Sequence, residues 1–167
     1  MGMEIERRFL VRDPHTAIER GTAPVQIIQG YFGRIDCLRV RVRIVSCERG
    51  SCAAFLTFKG ARRGLCRLEY EYPLPLDRAR RALDTLPPAQ IIRKTRYEVR
   101  RGNDSAWSVD SFEGPNIGLV LAEIELAHPN QNIAIPFWIG EEVTFNPRYG
   151  NSRLARMPMS RHLADVA

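Results

Sequence analysis

The amino-acid sequence predicts an α+β chain that is mostly antiparallel sheet, and three observations carry that expectation. Apolar and polar residues alternate with a period of two through eight segments. Turn-forming residues fall between those segments, and only two short stretches read as helix.

The expected strands run Met3 to Val11, Val25 to Phe32, Cys37 to Cys47, Cys52 to Gly60, Leu65 to Pro73, Ile91 to Arg101, Ala106 to Phe112 and Gly118 to Leu126. Glu48-Arg-Gly-Ser51 reads as the hairpin loop between the third and fourth strands, and Ala61-Arg-Arg-Gly64 as that between the fourth and fifth. Arg101-Gly-Asn-Asp104 and Gly114-Pro-Asn-Ile-Gly118 read as further turns. Asp77 is the expected N-cap of a helix over Arg78 to Leu86, which Pro87-Pro88 stops. Asn151 is the expected cap of a short helix through Met157, and residues 128–140 read as loop. No repeat or linker interrupts the chain, so a single domain is expected over residues 1–160, with a tail at 161–167.

The 167 residues have 44% hydrophobic and 26% charged side chains, close to globular averages, which excludes disordered and collagen-like classes. No stretch is apolar enough to span a bilayer as a helix, and the charged start, Met1 to Arg8, lacks the apolar core of a signal peptide. A cytoplasmic protein with no membrane partner is expected. Cys37, Cys47, Cys52 and Cys66 form no C-x-x-C pair and read as small buried hydrophobes. His15, His128 and His162 lie too far apart to suggest a ligand set, and Trp107 and Trp138 read as packing residues. The net charge of +6 favours an anionic partner. Nucleic acid is not the expected one, because the basic residues are interleaved with acids rather than gathered with aromatics into an open patch.

The charges are sorted by strand. Residues i and i+2 of a strand share a face. On that rule Glu4, Glu6 and Arg8 share a face, as do Arg39, Arg41 and Arg43, Glu69 and Glu71, Lys94, Arg96 and Glu98, Ser108 and Asp110, and Glu123 and Glu125. Phe55, Thr57 and Lys59 line up opposite Leu56 and Phe58. Like charges repeated along one strand face repel, and ordinary surface sheets mix signs to avoid this. Acid strands and base strands set side by side make sense around a divalent cation and a polyanion. A sheet closed on itself with a polar interior provides that arrangement, with its apolar faces turned outward against helices.

At these residues the chain resembles the CYTH superfamily, the triphosphate tunnel metalloenzymes. Glu4-Ile-Glu6-Arg-Arg8 stands for the family's E-x-E-x-K pattern, followed by Gln29-Gly-Tyr31, Arg39 and Arg41, Lys59-Gly60, Glu69-Tyr-Glu71 and Lys94-Thr-Arg96-Tyr97. Trp107 to Asp110, Glu123-Ile-Glu125, Glu142-Val-Thr144, Arg148-Tyr149 and Asn151 complete the series, which runs from about Met3 to Pro158 and includes both lysines of the chain, Lys59 and Lys94. The resemblance implies a closed eight-stranded antiparallel β tunnel with a polar interior and a few flanking helices. It implies a metal-dependent hydrolase of inorganic tripolyphosphate or a small organic triphosphate, with Mg²⁺ or Mn²⁺ as cofactor. It further implies that Glu4, Glu6 and Arg8 are catalytic. Arg39, Arg41, Lys59, Lys94 and Arg96 grip phosphates, while Glu4, Glu6, Asp110, Glu123 and Glu125 supply metal oxygens. Glu69 and Glu71 form an acidic wall, and Tyr31 is a candidate lid.

The chemistry suits those residue types. Guanidinium forks match phosphate oxygens, and Mg²⁺ prefers carboxylate and water oxygens. Two departures stand out. Arg8 replaces the lysine of the pattern, and arginine stays charged without handing over a proton. Asn146 stands where the family carries an aspartate before the Arg-Tyr pair, and it reads as a local capping change. The alternatives on the same fold are a non-catalytic polyphosphate or nucleotide binding module, an adenylate cyclase and a thiamine triphosphatase.

Overall fold

The computed structural model describes residues 2–47, 50, 52–100 and 106–159. The expected turns at 48–51 and 101–104, His162 and the tail therefore lie largely or wholly outside the described residues. All eight expected strands form: β1 (Gly2–Val11), β2 (Val25–Ile35), β3 (Leu38–Cys47), β4 (Cys52–Lys59), β5 (Cys66–Pro73), β6 (Ile91–Val99), β7 (Trp107–Phe112) and β8 (Val120–Glu125). They pair antiparallel in the order β5-β4-β3-β2-β6-β7-β8-β1, and β5 pairs back onto β1, so the eight form a closed ring. Alternation then has only two destinations, the lumen and the outside.

β2 runs three residues further than the sequence suggests. A register shift between Tyr31 and Arg34 coincides with Gly33 at φ +91°, a conformation that favours glycine, and lets the strand continue to a tight turn at Asp36. A ninth strand, β9 (Ile139–Glu142), which the sequence reading misses, starts at the end of the stretch expected to be loop. β5 pairs with β1 only from Gly2 to Ile5, and β9 takes over that edge from Phe9 to Val11. The partner is 128 residues away in sequence from the edge it covers, and so local periodicity carries no sign of it.

The apolar faces pack outward under the helices. α2 (Leu76–Asp84) lays Ala79 and Leu83 on Val42, Ile44 and Ala54 of β3 and β4. A Cβ on Gly30 would run into Leu83 and Leu86, so glycine is what admits this contact. α2 begins two residues before the expected start. Pro75 precedes it, and Asp77 pairs with Arg81 one turn on instead of capping. α3 (Asn151–Arg156) buries Leu154 and Ala155 against Ile92, Phe112, Leu121 and Val143. Full burial of a leucine contributes about 1.5–3 kcal/mol. Asn116 fastens the same helix, donating to the Leu154 carbonyl at 3.2 Å and accepting from the Met159 amide at 3.0 Å. α1 (Pro14–Glu19), which the sequence reading misses, is capped by Asp13 accepting from the Thr16 amide and hydroxyl.

Trp107 and Trp138 are packing residues as expected, stacked edge-on at 5.8 Å, with Phe9 on Trp107 at 5.5 Å. The cysteines correct the sequence reading: Cys37, Cys47 and Cys52 are exposed, Cys66 is half-buried, and all four are free thiols. Cys37 sits in the turn between β2 and β3, and Cys47 and Cys52 sit at the ends of β3 and β4. Asn146 accepts from the Arg148 amide at 3.1 Å, the capping role read from its position.

Candidate active site

Closing the ring turns the sorted charges inward. The lumen is a cavity of about 650 Å³, within the range of small-molecule sites. Glu4, Glu6, Arg8, Arg39, Arg41, Lys59, Glu69, Glu71, Lys94, Arg96, Glu123, Glu125 and Tyr31 all line it. Arg43, Arg67, Glu98, Gln29 and Ser108 line it too, bringing the wall to eight basic and seven acidic side chains. Arg67 stands two residues before Glu69 on β5, so the same alternation that marks Glu69 and Glu71 marks it, although the resemblance does not single it out.

Most of these groups are paired across neighbouring strands. β1 and β8 place Arg8 beside Glu123 and Glu6 beside Glu125. The Arg8 Nε donates to Glu123 Oε1 at 2.8 Å, its Nη2 to Glu6 Oε1 at 3.2 Å, and its Nη1 to the Tyr149 carbonyl at 3.1 Å. Thr144 adds a fourth tie, accepting from the Arg8 amide at 3.0 Å. Arg96 grips Asp110 through Nε and Nη2, each at 2.7 Å, and reaches Glu123 Oε2 at 3.0 Å. Lys94 donates to Asp110 as well. Asp110 is 1% exposed, has both oxygens engaged, and sits behind the cavity surface rather than on it. On the opposite wall Lys59 bridges Glu4 and Glu69, at 2.7 Å to each. Arg67 binds Glu4 Oε2 at 2.5 Å and Glu6 Oε1 at 3.2 Å, and Arg43 binds Glu71 at 3.0 Å. Arg41 reaches Thr57 at 3.1 Å and Glu71 at 3.4 Å. Tyr31 accepts from Gln29 Nε2 at 2.8 Å, and burial pushes its phenol above the usual range, so the hydroxyl keeps its proton.

The titrations follow from this pairing. Burial pushes Glu123 up, but Arg8, Lys94 and Arg96 outweigh it and hold the carboxyl well below its ordinary range. Burial and the neighbouring Arg96 pull Lys94 down to about 8 against the opposing pull of Asp110. Burial and the nearby Arg41 and Arg67 likewise lower Lys59. Burial raises Glu125, and the like charges of Glu4, Glu69 and Glu6 raise it further. Arg39 forms no ion pair or hydrogen bond among the described residues; burial, with Arg67, Arg34 and Arg156 around it, lowers its pKa.

Among the carboxylates of β1, β5 and β8, only Glu6 Oε2 and both oxygens of Glu125 have no donor from the described residues. Those two residues are direct cross-strand partners on the lumen face. Opposed like charges are destabilising unless a cation lies between them. No three described His, Cys, Asp or Glu side chains are already gathered as a metal nest. The donor set is nonetheless all carboxylate, the chemistry that hard divalent cations prefer.

Comparison with known proteins covers nearly the whole chain. The CYTH domain family matches residues 2–158. An inorganic triphosphatase of Acetivibrio thermocellus is 42% identical over 159 residues, covering 95% of this chain and 96% of the relative. One of Nitrosomonas europaea is 33% identical over 158 residues, covering 91% and 96%. A crystal structure of an inorganic triphosphatase superposes with a TM-score of 0.63 at 29% identity, over 93% of this chain and 96% of that one. Divalent metal use is general among triphosphatases of this family. Among the described residues no helix is long and apolar enough to cross a membrane. An eight-stranded ring with its charges turned inward, matched along nearly its whole length, makes this chain a member of the CYTH domain family.

Proposed function

We propose that this protein is a divalent-metal-dependent inorganic triphosphatase that hydrolyses tripolyphosphate inside the ring. The observation that carries the reading is the donor-free edge formed by Glu6 Oε2 and Glu125, in a wall where every other described carboxylate oxygen of β1, β5 and β8 has a donor. Such a wall has room for one cation and one polyanion, and neither loads well alone. The names of the two relatives, at 42% and 33% identity, support inorganic triphosphate as the substrate.

In this reading Arg39, Arg41, Lys59, Lys94 and Arg96 grip the phosphates, with Arg43 and Arg67 alongside. Glu6 and Glu125 are the principal oxygens for Mg²⁺ or Mn²⁺. Glu4 and Glu123 join by exchanging their present cation partners for the bound ion. The cation, when bound, neutralises phosphate charge and acidifies a water. Asp110 acts from behind the wall, fixing Lys94 and Arg96 so that their remaining N–H groups aim at the substrate. Arg8 holds Glu123 and Glu6 in place, and Tyr31, beside Arg8 and Arg41, is the candidate cover at that end. The free thiols suit a reducing compartment such as the cytoplasm.

The test is phosphate release from tripolyphosphate, thiamine triphosphate and ATP, each with Mg²⁺, with Mn²⁺ and with chelator. The expected result is metal-dependent release that is fastest on tripolyphosphate. Tight tripolyphosphate binding without release would make the protein a binding module, and cyclic AMP from ATP would make it a cyclase. Faster release from thiamine triphosphate would move the substrate to that ester.

A further inference from the structure

Arg62 lies outside every strand, on the loop joining β4 to β5, and is not among the residues that the family pattern marks. The loop is pinned at its ends by the Gly60 amide on the Leu68 carbonyl and by the reciprocal pair of Arg63 and Cys66. From there the Arg62 side chain enters the seam beside β1, where β5 has ended and β9 has not begun. Its Nη2 donates to Glu6 Oε1 at 2.5 Å.

That oxygen is crowded. Arg8, Arg67 and Arg62 all converge on it, three guanidiniums on one carboxylate oxygen. The three are not equivalent. Arg8 is also tied to Glu123 and Tyr149, and Arg67 to Glu4, so either would break several bonds by leaving. Arg62 has Glu6 as its only partner among the described residues, and its side chain is 24% exposed. Its Nη1 is buried with no hydrogen-bond partner, a penalty that departure relieves. Arg62 is therefore the guanidinium that can be exchanged.

Resting on the hydrolase reading of this same site, we propose that Arg62 is a built-in competitor of the divalent cation. It occupies Glu6 and gives way when cation and triphosphate arrive together, so that the two load as a unit. Like charges a few ångströms apart in a partly buried site repel strongly, so an arginine on Glu6 opposes a cation on the other oxygen of the same carboxylate. A triphosphate reverses the balance by offering the displaced guanidinium new oxygens. Two ligands that each relieve the obstacle to the other bind with positive, reciprocal coupling.

The experiment measures Mn²⁺ binding to the full chain without substrate, by electron paramagnetic resonance of free Mn²⁺ and by calorimetry. Removing the competing charge in Arg62→Ala or Arg62→Gln is expected to tighten Mn²⁺ binding about tenfold. Arg62→Lys, which keeps the charge, is expected to stay near native, and Arg63→Ala on the same loop is the control for overall charge. Tripolyphosphate hydrolysis is followed in parallel, with half-maximal Mn²⁺ expected to fall in the two neutral variants. Should Ala at position 62 fail to fold, the Gln variant decides. Unchanged or weaker Mn²⁺ binding in both neutral variants, or an equal shift in Arg63→Ala, overturns the proposal whatever the hydrolysis shows. The tighter Mn²⁺ binding in a native background that releases no phosphate supports Arg62 as competitor and removes the hydrolase reading instead.

Discussion

Glu123 and Glu125 stand two residues apart on the same face of β8, and they live in opposite surroundings. Glu123 has Arg8 on one oxygen and Arg96 on the other, and is held far below its ordinary pKa. Glu125 has no cation partner among the described residues, and burial together with the like charges of Glu4, Glu69 and Glu6 raises it. The first region is electrostatically complete before any ligand arrives. The second is incomplete without a ligand. Missing compensation carries a cost in stability that the finished region does not, the kind of cost found where a site awaits its ligand.

The largest expected effect breaks the second region. Glu125→Gln should lower metal-dependent hydrolysis by about 100-fold or more, since it removes an oxygen ligand. In the absence of metal the same change should raise Tm at pH 7, because it deletes a repelled charge. A raised carboxyl makes the fold bind its proton more readily than the unfolded chain does, so native stability falls as pH rises through that pKa. The Tm gain of the Gln variant should therefore be full at neutral pH and vanish on acidification. A Tm that drops at pH 7 would show Glu125 to be compensated after all.

Next comes Arg8→Lys, which tests whether the first region is architectural. An ammonium cannot reach Glu123, Glu6 and the Tyr149 carbonyl together as the guanidinium does. A loss of about 1–3 kcal/mol is expected in chemical denaturation, with faster amide exchange across Tyr149–Arg156 and a lower turnover number. Unaltered exchange in that segment would detach Arg8 from any fastening role.

Arg39 and Arg41 sharpen the contrast between free and engaged cations. Arg39→Ala should weaken tripolyphosphate binding about tenfold in calorimetry while leaving Tm in place, for it has no partner to lose among the described residues. Arg41→Ala should weaken binding and lower Tm as well, because Thr57 and Glu71 lose a donor. Identical Tm shifts in the two variants would erase the distinction.

The smallest effect concerns Lys94. Pulled down to about 8, it sheds its charge as the pH rises through that value, and tripolyphosphate binding to the metal-free protein should weaken a few-fold across that rise. Lys94→Arg, which stays charged, should flatten the profile. A native profile already flat from pH 7 to 9 would place Lys94 back near its ordinary range of 10.5.

The ring and most of its wall were legible in the sequence for one physical reason: a strand offers each residue only two faces. Once Leu38, Val40 and Val42 are assigned outside, Arg39, Arg41 and Arg43 have nowhere to go but the lumen. Arg67 was available to the same argument. Arg62 was not, since a loop residue has no periodic face and its contact with Glu6 spans 56 positions. β9 escaped because it has four residues and exists to cover an edge of β1 created far away in the chain. α1 escaped because six residues give too short a window for helical periodicity. The exposed cysteines lie in a turn and at strand ends, where strand alternation no longer reports burial.

The closure of the ring through β1 also sets an order on the ribosome. Glu6 emerges well before its cross-strand partner, Glu125, with six strands made between them. β2, β3, β4 and β5 can zip as successive hairpins while synthesis proceeds, but β1 has to wait for β8 before both of its edges are covered. During that interval a strand bearing Ile5 and Phe9 on one side and three charges on the other has one edge open, the kind of species that early chaperone binding protects. The strands that carry Arg39, Arg41 and Lys59 can thus pair early, while Glu6 and Glu125 meet only after β8 has been made.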